Sequence, residues 1–61
     1  MISRNELEKL AHRIAVIKGE IEVLRTDGEG YVCVERNAER MLASVKMLEL
    51  EICDAVEHID A

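Results

Sequence analysis

Two cysteines, two histidines and one glycine cluster are the residues in this chain of 61 whose types most often carry chemistry. Gly28-Glu29-Gly30 is the first candidate, as a cradle for phosphate. Such a loop aims backbone amides at the anion from a strand-to-helix turn, usually with a lysine or a longer glycine pattern beside it. Here no strand pattern precedes it, no lysine follows it, and Asp27 and Glu29 would repel the anion, so the cluster reads as a helix-ending turn.

Metal is the second candidate. Di-iron sites in helical bundles use Glu-x-x-His, but three residues before His12 stands Lys9 and three before His58 stands Ala55. Glu8 with His12, and Asp54 with His58, have the four-residue spacing of a shared helical face. Exposed acids and histidines are common at that spacing, and no metal or other cofactor is expected. Nucleophilic catalysis needs a thiol or hydroxyl, a base and an orienting group in a cleft. Ser3 is committed to a helix cap, and Ser44, Thr26 and Tyr31 have no such company, so no catalytic residue is assigned and the chain is not expected to be an enzyme.

Cys33 and Cys53 lie twenty residues apart. On one helix that is about 30 Å at ~1.5 Å per residue, beyond disulfide reach within the chain. Reduced thiols in the cytoplasm are the expectation. The two are mirror positions about residue 43, so antiparallel copies of one helix would bring Cys33 near a partner's Cys53.

The elements that position these residues are legible in the composition. Tyr31 is the sole aromatic residue and proline is absent, while about a third of the chain is charged. A core of Leu, Ile, Val, Met and Ala under such a surface implies long helices packed along their lengths. No apolar run approaches the ~20 residues of a membrane span, and the start lacks the basic-then-apolar order of a secretory signal. A chain this short buries little surface, so a staple or a partner is expected.

Ser3-Arg4-Asn5-Glu6 fits a capping box, with Ile2 and Leu7 placed for a hydrophobic staple. From there Leu7, Leu10, Ile14, Ile17, Ile21 and Leu24 alternate spacings of three and four, the seam pattern of coiled coils. Thr26, Asp27, Gly28, Glu29 and Gly30 interrupt it, with Gly28 expected to adopt the left-handed conformation that closes a helix. The repeat resumes with Tyr31, Val34, Ala38, Met41, Val45, Leu48, Ile52, Ala55 and Ile59. Its continuity favours helix over a lone strand at the β-branched residues 31–34. The whole chain is thus expected to be one all-α domain, an antiparallel hairpin with helix 1 at about 4–25, a turn at 26–30 and helix 2 at about 31–59.

Folding at the turn sets Leu24 beside Tyr31, Ile17 beside Ala38, Leu10 beside Val45 and Leu7 beside Leu48. Ile52, Ala55, Val56 and Ile59 then overhang helix 1 by roughly two turns, about 13 Å. Leu42, Met47, Leu50, Cys53 and Val56 widen the apolar surface of helix 2 beyond what one neighbour covers. The expected architecture is therefore a hairpin that dimerises into a four-helix bundle, with Leu42, Met47, Leu50, Ile52, Val56 and Ile59 supplying much of the interface.

Charge is consistent with the hairpin. Residues 1–18 carry Arg4, Lys9, Arg13 and Lys18 against Glu6 and Glu8, while residues 45–61 carry Lys46 against Glu49, Glu51, Asp54, Glu57 and Asp60. Hairpin folding brings these opposite ends together. The net charge of −5 argues against general affinity for nucleic acid or anionic membrane.

The expected function is protein–protein interaction, by a small adaptor, regulator or assembly factor that pairs with itself. One alternative is a chaperone or subunit whose apolar stripe is covered by a different protein. In length, hairpin form and acidic balance the chain also resembles the family of plasmid copy-number RNA-binding proteins typified by Rop, a likeness of architecture rather than of residue motif. That resemblance implies an RNA-binding bundle, whose binding face would here come from Arg4, Lys9, Arg13 and Lys18 on paired copies of helix 1.

Overall fold

The computed structural model describes residues 3–60, with side-chain surroundings for residues 3–57. Two helices, α1 (Arg4–Asp27) and α2 (Val32–Asp60), pack against each other as an all-α hairpin. The expected staple residue Ile2 and the side chain of Ile59 lie outside the described residues.

α1 starts where its grammar places the start. Ser3 is extended, at φ −84° and ψ 165°, and its hydroxyl accepts a hydrogen bond from the Glu6 amide at 3.2 Å. This satisfies one of the amides that a helix N-terminus leaves without a partner. Glu6 also places an acid in the positive first turn.

At the other end Gly28 closes α1 as expected, but the left-handed conformation expected of it falls on Gly30. Gly28 closes α1 at φ −91°, an ordinary right-handed value, with its amide donating to the Leu24 carbonyl at 2.8 Å. The left-handed residue is Gly30, at φ 94°. Gly28 is required for a different reason: a Cβ there would stand 2.8 Å from the Val34 Cβ and would overlap its Cγ1. The helices touch at Gly28, and the chain swings out through Glu29 and Gly30 before α2 begins. Glu35 fastens this crossing, its carboxylate accepting from the Gly30 amide at 3.0 Å. Residues 32–34 are helical, in keeping with the unbroken repeat.

The early crossing changes the pairing of the helices. Ile17 shares a groove with Met41, Ser44 and Val45, Ala11 and Ile14 share one with Ile52, Cys53 and Val56, and Lys18 reaches Glu49 at 3.4 Å. α2 is therefore displaced relative to the expected pairs of Ile17 with Ala38 and Leu10 with Val45. The expected overhang shrinks with this displacement. Ile52 packs on the core and Ala55 and Val56 are half-buried, because the first turns of α1 cover them.

The core is narrower than the two stripes. Leu7, Ile14 and Ile21 are buried on α1, and Ala38 and Val45 on α2, with Leu42 and Ile52 packed beside them. These buried residues recur every seven, and Gly28 continues the α1 series into the turn. Ala38 is fully buried, at 0 % exposure.

Candidate interaction surface

Along the middle of the hairpin only one of the two seam positions in each seven-residue repeat is buried, while Val34 and Ala55 of the other row are half-buried at the ends. The other, expected in the same seam, is left in solvent: Leu10, Ile17 and Leu24 on α1 and Met41 and Leu48 on α2 are 38 to 50 % exposed. The reason is geometric. The row of Leu7, Ile14 and Ile21 points at α2, and a residue three or four places away is turned by ~60° or ~40° to one side. In a four-helix bundle residues turned in this way face further helices across the core.

The two uncovered rows lie on the same side of the hairpin. Ile17 and Met41 line one groove together with Ser44, Asn37 and Arg40, over a floor of Ile21 and Val45. Val16, Val23 and Met47 are exposed and extend the apolar character along the chain. The opposite side has another chemistry. Its groove is lined by Lys18, Glu22, Arg25, Lys46 and Glu49 with Leu42 and Leu50, and the Lys18–Glu49 pair crosses it. Both members of that pair are more than two-fifths exposed, so it contributes a few tenths of a kcal/mol and mainly selects alignment.

The hairpin thus has one side along Ile17 and Met41 and another on which the charged groove continues past Glu49 into the apolar groove of Ala11, Ile14, Ile52 and Val56. The six residues expected at an interface are distributed between these surroundings. Leu42 and Ile52 pack on the hairpin's own core, Val56 is half-buried against α1, Met47 and Leu50 are exposed, and the Ile59 side chain lies outside the described residues. Met47 adjoins the apolar face through Leu48, while Leu50 lines the charged groove. The spacing that could have revealed the uncovered face was present in the sequence as two rows. Both rows carry charge on their flanks, so the pattern alone did not separate them.

The residues considered for chemistry are dispersed. Cys33 and Cys53 are both exposed free thiols, and Cys53 lies in the groove of Ala11, Ile14 and Ile52. Glu8 is occupied by Arg4 at 3.2 Å. Among the described residues no group of three or more His, Cys, Asp or Glu side chains is placed to hold a metal ion. Of the four cations expected on an RNA-binding face, Arg4 and Lys18 are engaged with Glu8 and Glu49, while Lys9 and Arg13 lie beside Asn5, Glu8 and His12 along one helix. Among the described residues no helix is long and apolar enough to cross a membrane.

The sequence matches no family model, and comparisons with curated proteins and with solved structures return no match. The surface chemistry therefore carries the functional reading.

Proposed function

We propose that this protein is a small protein–protein interaction module that acts as a homodimeric helical bundle, in the role of an adaptor, regulator or assembly factor. The observation that carries the reading is the uncovered row of Leu10, Ile17, Leu24, Met41 and Leu48 on one face of a hairpin whose other seam row is buried. A lone hairpin of this size buries too little surface for comfortable stability. A second hairpin laid on the apolar face would turn the uncovered row into core and complete four-helix packing. The hairpin measures 46 × 15 × 14 Å, long enough for a second copy to lie along the whole uncovered row.

The test is the molar mass of the purified chain over a wide concentration range. The expected result is a species of twice 6.9 kDa that dissociates only on strong dilution. A chain that stays a well-folded monomer at all concentrations overturns the proposal. A molten monomer that orders only with a foreign protein would replace the homodimer with a mixed assembly.

A further inference from the structure

The rim of the apolar face carries a second piece of information. Arg13 stands three residues after Leu10 and four before Ile17, and Glu20 stands three after Ile17 and four before Leu24, so both flank the uncovered row of α1. Glu51 holds the matching place on α2, three residues after Leu48. Asn37 and Ser44 hold the same place earlier on α2, and both line the groove on this face with Ile17 and Met41. Arg13, Glu20 and Glu51 are exposed, and Arg13 makes no ion pair among the described residues.

We infer that the apolar face seats a second copy of this chain and that Arg13 is the specificity-determining residue of that contact, pairing with an acid of the partner in either two-fold arrangement. This rests on the homodimer reading above. If α1 packs on the partner's α1, the two run antiparallel about Ile17, the midpoint of the row from Leu10 to Leu24. Arg13 then lies within one residue, about 1.5 Å along the axis, of the level of the partner copy's Glu20, and the symmetric contact repeats the pair.

If instead α1 packs on the partner's α2, the alignment is the one seen within the hairpin. Ile17 stands level with Ser44 and Val45, Ile14 with Ile52 and Cys53, and Lys18 reaches Glu49. Arg13 is then level with residues 49–53 and meets the partner copy's Glu51. Both arrangements therefore give an attractive pair twice over, and both make the face complementary to itself. A foreign apolar surface with a basic rim would meet Arg13 with like charge, so the residue selects against it. Within one helix Arg13 and Glu20 are seven residues apart, about 10.5 Å along the axis, too far for an i,i+4-type pair, so their coupling reports the interface alone.

The experiment measures the dimer dissociation constant of the full chain by sedimentation equilibrium for the wild type, Arg13→Glu, Arg13→Glu with Glu20→Arg, and Arg13→Glu with Glu51→Arg. Circular dichroism on each verifies that helicity is retained. Arg13→Glu is expected to weaken the dimer roughly tenfold, since two exposed pairs turn from attraction to repulsion. One of the two second-site reversals, and only that one, restores wild-type affinity and identifies which helix faces which. An unchanged dissociation constant in Arg13→Glu, or failure of both reversals to restore it, overturns the role of Arg13 while leaving the dimer standing. A wild type that is monomeric throughout overturns the homodimer reading itself.

Discussion

Gly28 and Val34 stand so close that a Cβ on Gly28 would lie 2.8 Å from the Cβ of Val34. This contact sets where α2 crosses α1, and the alignment of every later layer follows from it. Gly28→Ala is expected to destabilise the hairpin by about 1–3 kcal/mol, the usual cost of forcing volume into a packed contact. Val34→Ala in the same chain removes the overlapping γ-methyls and should recover part of that loss. Chemical denaturation of the single and double variants measures both. Equal stability of Gly28→Ala and the wild type would mean that the crossing lies elsewhere.

Gly19 provides the contrast. It lies inside α1 with nothing within 4 Å of the place its Cβ would occupy. Gly19→Ala therefore gains helix propensity without meeting a neighbour, and should stabilise by about 0.5–1 kcal/mol. A rise in melting temperature checks it, and a fall would show that this surface of α1 is covered in solution.

The turn is also held by one side chain. The Glu35 carboxylate accepts from the Gly30 amide at 3.0 Å, and Gly30 is the residue at positive φ. Glu35→Ala removes that acceptor and should cost about 1 kcal/mol, with Glu35→Gln losing less because its carbonyl still accepts. Gly30→Ala should cost about 1–2 kcal/mol through its left-handed backbone, despite open space around it. Thermal unfolding of the three variants ranks them.

Much of this arrangement was legible in residue types and spacing. Ser3 announced the start of α1, and the three-four repeat on either side of residues 26–30 announced two helices. The alignment was not legible, because it depends on a van der Waals contact at Gly28 that no periodicity records. Nor was the division of the apolar rows. The same pattern serves a hairpin that buries both rows with a partner and one that buries a single row alone. Leu7, Ile14 and Ile21 are buried while Leu10, Ile17 and Leu24 are not, and both sets are equally apolar.

That division yields the sharpest test, because Ile14 and Leu48 occupy the two rows. Ile14 is buried in the hairpin core, so Ile14→Asp places an unpaired carboxylate there and should cost more than about 3 kcal/mol. Helicity is expected to collapse at every protein concentration. Leu48 is almost half exposed, so Leu48→Asp leaves the hairpin's own contacts in place and burdens only the face offered to a second chain. Its helicity at high concentration should remain near that of the wild type. Its mass should fall to a single chain, and its melting temperature should lose the concentration dependence expected of a dimer. Circular dichroism and sedimentation on the same samples separate the outcomes. Collapse in both variants would place Leu48 inside the hairpin seam, and a dimer intact in Leu48→Asp would move the contact away from the apolar face.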